Sequence, residues 1–126
     1  MKNVASFIVI VLFSALGYAQ NGPKIEFTAP DNTIDYGKIS KSDNGVRSFE
    51  FTNTGDAPLL ITSAESTVSS IVVTKPGGAI MPGKKGKIDV KYNMTAGPIR
   101  KTITVETNAV NYPDGRVALK IKGEVL

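Results

Sequence analysis

The chain offers few groups able to do chemistry. Its 126 residues include no histidine, cysteine or tryptophan. That excludes zinc centres built on imidazole or thiolate, Ser-His-Asp triads and cysteine nucleophiles. Eleven carboxylates, the lysines and four tyrosines remain. A pair of carboxylates facing one bond would support acid–base chemistry. The acids, however, are spread along the chain: Glu26, Asp31, Asp35, Asp43, Glu50, Asp56, Glu65, Asp89, Glu106, Asp114 and Glu124. Most fall in turns, where local hydrogen bonding favours Asp, or at outward strand positions. Asp31, Asn32 and Asp35, and likewise Asp43, Asn44 and Asp56, invite calcium, but neither group has the spacing of a calcium loop. Gly77, Gly78, Gly83 and Gly86 lack the strand–loop–helix setting of a phosphate cradle. No catalytic, metal or cofactor residue is therefore expected.

Contact chemistry is the next possibility. Phe27, Tyr36, Phe49, Phe51 and Tyr92 sit at inward-facing positions of alternating segments and belong to a core. Tyr112, in a loop beside Pro113, is the aromatic candidate for stacking on a sugar or anchoring a partner. The formal net charge is +4, and losing Lys2 leaves an excess of three. Only Lys84-Lys85-x-Lys87 and Arg100-Lys101 are locally dense. Interleaved acids favour solvated faces and edges, where lysine discourages edge pairing, over the alternative of a patch for an anionic polysaccharide, lipid head group or nucleic acid. Basic residues alternating with aromatics, as on a nucleic-acid-binding sheet, are absent, so no nucleic-acid partner is expected.

The elements that position these residues are short strands. Phe49 and Phe51 alternate with Ser48, Glu50 and Thr52 until Asn53-Thr54-Gly55-Asp56. Ile88, Val90 and Tyr92 alternate with Asp89 and Lys91 after Met81-Pro82-Gly83. A period of two with Gly, Pro and Asn punctuation predicts half-buried antiparallel strands. Strands are expected at 24–28, 33–36, 46–53, 59–63, 71–74, 86–92, 99–107 and 116–125. No mature segment has helical spacing. The prediction is all-β: an immunoglobulin-like antiparallel β-sandwich of seven to eight strands, with a small barrel as the competing closure.

The N-terminus reads as an export signal. Lys2 gives a positive start, residues 4–16 are almost all apolar, and Gly17-Tyr18-Ala19 offers small residues for cleavage before Gln20. The apolar run is shorter than the roughly 20 residues that span a bilayer. The expected organisation is a signal peptide over 1–19 and one domain over 20–126. The product is exported, periplasmic or secreted, and does not span the membrane. With no cysteine, lipid attachment through a thiol is excluded and stability rests on packing and pairing alone.

Several segments carry a resemblance. Phe49-Glu50-Phe51-Thr52-Asn53-Thr54-Gly55-Asp56-Ala57-Pro58-Leu59-Leu60-Ile61 resembles the FxFTNTGDxPLxI segment of the bacterial domain of unknown function 1573 family. The stretch from Ile80 through Pro82-Gly83 to Tyr92 is similar to its I-x-PGxxGxIxVxY segment. Ile34-Asp35-Tyr36-Gly37, the run 101–105 and the run 119–125 resemble its opening and closing strands. The resemblance implies an immunoglobulin-like sandwich related to Hydin-like and major-sperm-protein-like domains, export in bacteria, and no assigned activity. Many members carry Cys-Gly-Cys where this chain has Val68, Ser69 and Ser70, so any thiol role is missing here.

The function expected from the sequence is a non-catalytic binding or structural module of the cell envelope that contacts an unidentified protein. The loops at 43–46, 53–58 and 108–115, or an open sheet edge, would carry the contact. A carbohydrate-binding module using Tyr112 is the alternative, and an enzyme is the remote one.

Overall fold

A computed structural model describes residues 21–126; the signal peptide expected over 1–19 lies outside the described residues. Eight strands alternate with turns: β1 (Ile25–Phe27), β2 (Thr33–Ile39), β3 (Val46–Asn53), β4 (Ile61–Ser66), β5 (Ile71–Thr74), β6 (Lys85–Tyr92), β7 (Gly97–Thr107) and β8 (Arg116–Val125). The helical segments among the described residues are two three-residue 3-10 turns, Pro30–Asn32 and Pro113–Gly115. Two four-stranded sheets face each other, in the orders β1-β3-β6-β5 and β2-β8-β7-β4. The expected sandwich, rather than a barrel, is what forms.

Alternation explains the packing. Along β3, Phe49, Phe51 and Asn53 are buried while Glu50 is exposed. Along β7, Ile99, Ile103, Val105 and Thr107 point inward and Arg100, Thr102, Thr104 and Glu106 point out. Ile25, Phe27, Phe49, Phe51, Ile88, Val90 and Tyr92 from the first sheet meet Tyr36, Ile99, Ile103, Leu119 and Ile121 from the second. Phe27 meets Phe49 edge-on at 6.4 Å and lies tilted against Phe51 at 5.6 Å. Aromatic pairs favour such edge and tilted geometry over a face-to-face stack.

One pairing departs from the antiparallel expectation. β2 runs parallel to β8, with Thr33 opposite Lys120 and Ile34 opposite Ile121. The long path from β2 through both sheets brings β8 back in the same direction, which no local pattern encodes. β2 also runs past the expected stop at Tyr36. The pairing shifts register between Asp35 and Lys38 and resumes, with Gly37 at φ 70° absorbing the bulge.

Asn53 ends β3 and is completely buried. Its side-chain amide donates to the Ala57 and Ile80 carbonyls, both at 2.8 Å. Its side-chain oxygen accepts from the Gly55 N–H at 2.9 Å and the Lys24 N–H at 3.3 Å. Its main chain bonds Lys84 and Gly83 at 2.9 and 2.8 Å. An amide is suited to this place because it both donates and accepts. Replacing Asn53 with Ala strands buried partners from three segments. We expect Asn53→Ala to lower unfolding free energy by about 3 kcal/mol in urea titration. A loss below about 1 kcal/mol would show that water or a rearranged turn replaces the amide.

Candidate functional site

Several Asp and Asn side chains cap backbone N–H groups. Asp35 accepts from the Gly37 N–H, Asp43 from Gly45, Asn44 from Val46 and Asp56 from Gly22. They include members of both groups that invited calcium, and Asp56 lies at the opposite end of the sandwich from Asp43. Across the strand pairs, acids face cations or hydroxyls: Glu50 faces Lys87, Glu106 faces Arg116, Glu65 faces Thr104 and Asp89 faces Ser48. Among the described residues, no group of three or more His, Cys, Asp or Glu is placed to hold a metal ion.

The structure divides the three expected loops. The turn at 53–58 and the loop at 108–115 share one end of the sandwich with the lead-in to β1. Asp56 N–H bonds Gly22, Val110 N–H bonds Pro23, and Asn108 bonds Pro58 and Leu60. Tyr112 lies half-buried here against the core, its hydroxyl accepting from Asn32 Nδ2 at 3.3 Å. The loop at 43–46 lies at the far end. There Tyr36 donates to the Gly45 carbonyl at 2.8 Å, and the Arg47 guanidinium sits 4.4 Å from the Tyr36 ring centre. Both terminal nitrogens of Arg47 reach Asp43, each at 3.2 Å. Gly45 has φ 74°, and a side chain there would collide with the Tyr92 carbonyl.

The remaining candidate is a sheet edge. The β1 edge is closed: Asn111 accepts from the Ile25 N–H at 3.1 Å and donates to its carbonyl at 2.9 Å, replacing a neighbouring strand. β2 and β4 both carry register shifts, and β2 carries Asp35 and Lys38, β4 Glu65. Bulges and charges are the usual guards of an edge. β5, Ile71-Val72-Val73-Thr74, has neither, and Val72 is 61% exposed. This strand follows residues 67–70, where the chain leaves β4 in one sheet and joins the other. Val68, Ser69 and Ser70, the positions matching Cys-Gly-Cys, form that crossing.

The direction of the β5 backbone follows from one bond. Asn93 N–H donates to the Ser70 carbonyl at 3.0 Å, in register with Ile71 opposite Tyr92. Main-chain groups alternate sides along a strand, so Val72 and Thr74 face β6 while Ile71 and Val73 face outward. The Ile71 N–H is taken by the Val68 carbonyl at 3.4 Å. The Ile71 carbonyl and both polar groups of Val73 are left on the open side. β5 ends opposite Asp89, so the first half of β6 is also uncovered, and a shallow depression of about 400 Å³ lies there beside Glu50, Lys85, Gly86 and Lys87.

Two groups at the 43–47 end are shifted. Burial pushes the Tyr36 hydroxyl above its usual range; Arg47 opposes this and Asp43 adds to it. The Arg47 hydrogen bond, then the Gly45 N–H, hold Asp43 below the ordinary carboxylate range. A raised Tyr36 value means stability is complete below the unfolded tyrosine pKa, about 10, and falls as pH rises through the folded one. The lowered Asp43 value gives stability above the unfolded Asp pKa, about 3.9, that is lost as pH falls through the folded one. Tyr36→Phe is expected to cost about 1 kcal/mol at neutral pH and to remove the Tyr36 share of destabilisation above about pH 10. Urea titrations across pH would show an unchanged alkaline slope if this account were wrong.

A structure of a protein of unknown function from Porphyromonas gingivalis W83 is 18% identical with a TM-score of 0.67, covering 84% of this chain and 48% of that one. The chain thus spans about half the length of that relative. A PapD-like domain of human CEP192 is 12% identical with a TM-score of 0.56, covering 82% and 85% of the two chains. The periplasmic chaperone SfaE is 12% identical with a TM-score of 0.53, covering 80% and 56%. These likenesses show a shared PapD-like, immunoglobulin-like fold. Comparison with curated proteins found no match. The profile of the family described as protein of unknown function (DUF1573) matches residues 26–125, and the chain belongs to that family.

Proposed function

We propose that the protein is a non-catalytic, exported binding module of the bacterial cell envelope that holds a protein partner by adding an extended segment of it to β5. The observation that carries this is the unguarded β5 edge: four uncharged residues, no bulge, an exposed Val72 and outward-facing main-chain groups at Ile71 and Val73. An added strand would bond those groups and cover Val72 and Val73. Strand addition obtains affinity from main-chain bonds and selectivity from alternate side chains. The PapD-like fold, shared with a periplasmic chaperone, supports a binding module in general. Export is supported by the positive, apolar and small-residue pattern of residues 1–19. Among the described residues no helix is long and apolar enough to cross a membrane.

A contact by Tyr112 belongs to the proposal in a narrower form. The ring is half-buried, so only part of it is open to a ligand, and a partner in the loops would meet it beside Asn32.

Photo-crosslinking residues placed at Val72 and at Tyr112, in the native envelope, separate edge from loop. We expect a discrete protein adduct from position 72, mapping to an extended segment of the partner. Val73→Pro removes an outward N–H and no bond of the β5–β6 ladder. It should reduce the adduct by on the order of tenfold with little change in Tm. An adduct from position 112 alone, or one indifferent to Val73→Pro, would sink the edge reading.

A further inference from the structure

The outer face of the second sheet gathers cations that lie far apart in sequence. Arg100 stands directly opposite Lys122, and Thr102 opposite Lys120. Thr33 of β2 stands on the other side of Lys120, and Asp35 on the other side of Lys122. All face outward. Residues directly opposite on one face have Cβ atoms roughly 5 Å apart, and like charges placed there destabilise a sheet. The neighbouring rows avoid this. Glu106 faces Arg116 at one end, and Glu124 faces Lys38 at the other. The middle rows instead hold Arg100, Lys120 and Lys122 against Asp35 alone, whose carboxylate is 4.0 Å from Lys122 Nζ with both side chains well exposed. An ion pair that long and that wet contributes little.

A depression of about 350 Å³ lies among Thr33, Arg100, Lys101, Thr102, Lys120 and Lys122. Its size is at the low end of the roughly 300–1,000 Å³ range of small-ligand sites. We propose that this depression binds a phosphate group carried on a glycan. Three cations on adjacent strand positions converge on one multivalent anion, and the Arg100 fork matches two of its oxygens. The Thr102 hydroxyl supplies a neutral partner for a sugar hydroxyl, and the Thr33 hydroxyl, which donates to the Asp31 carbonyl at 2.9 Å, can accept from another. A membrane surface fits less well: the exposed large apolar side chains flanking strands of this sheet, Leu60 before β4 and Leu126 after β8, stand outside the rows that hold the cations. A nucleic acid fits less well because no aromatic among the described residues lies on this face to stack a base. This site is on the other sheet from β5 and stands independently of the edge reading.

The test uses phosphomannan, the same mannan stripped of phosphate, phosphatidylglycerol vesicles and a single-stranded oligonucleotide as probes. The chain from Gln20 should bind phosphomannan and lose on the order of tenfold affinity in Arg100→Thr/Lys122→Thr. Binding should weaken with salt. The same double variant should melt at an equal or higher temperature, because it relieves a cross-strand repulsion. Asp35→Asn, which removes the sole acid of these rows, should tighten binding. The proposal is overturned by no binding to phosphomannan, by equal binding to stripped mannan, or by preference for vesicles or the oligonucleotide. It is also overturned by a double variant that binds as before, or whose loss of binding accompanies a lower Tm.

Discussion

The buried amide of Asn53 is the constraint on which one whole end of the molecule depends. A β-sandwich closes its sides by packing, but its ends are loops whose main-chain groups cannot be left dry. Asn53 solves this at the end of β3 by bonding the lead-in to β1, its own turn and the 80–84 segment together. Three further residues extend the same device. Asn108 bonds Leu60 and Pro58, Asn111 completes the β1 edge, and Thr107 links the Gly115 carbonyl to the Ala109 N–H. No buried side-chain polar atom among the described residues is left without a partner. Such an end behaves as structure rather than as free binding loop, which moves attention from the loops to the edges.

The opposite end is fastened by different chemistry. Tyr36 reaches from the second sheet to the Gly45 carbonyl of the loop that crosses from β2 to β3, and Arg47 covers its ring while holding Asp43. Burial of the phenol and the charge pair fix the turn in place of a disulfide, in a chain that has no thiol to form one. Between the two tied ends, the chain crosses from β4 to β5 through residues 67–70. That crossing makes β5 short and leaves it at the margin of its sheet. The same geometry that divides one strand between two sheets exposes the edge.

Charge is arranged on the same logic of pairing. Across most strand neighbours, an acid meets a base or a hydroxyl, which keeps a basic chain soluble without straining its sheets. The Arg100–Lys122 row breaks the pattern on an otherwise balanced face. A local conflict that costs stability and persists is the kind of feature expected where a surface has another use.

Much of the fold was legible in the sequence because strand alternation is local. Phe49 and Phe51, or Ile103 and Val105, announce their inward face within a few residues, and Asn53-Thr54-Gly55-Asp56 announces a turn. Those signals determined an all-β chain, its strand positions and most of its core. They could not determine that β2 lies parallel to β8, because that depends on the path between strands far apart in the chain. Nor could they show that Arg100 stands across from Lys122 and beside Lys120 while its neighbour Lys101 stands opposite Ile121. Register between distant strands decides that. The openness of β5 was hidden for the same reason: an edge is defined by the absence of a neighbour, and neighbours are assigned only when the two sheets assemble. The sequence by itself determined which residues face the core; the tertiary structure alone decided which backbone was left unpaired and which charges were brought together.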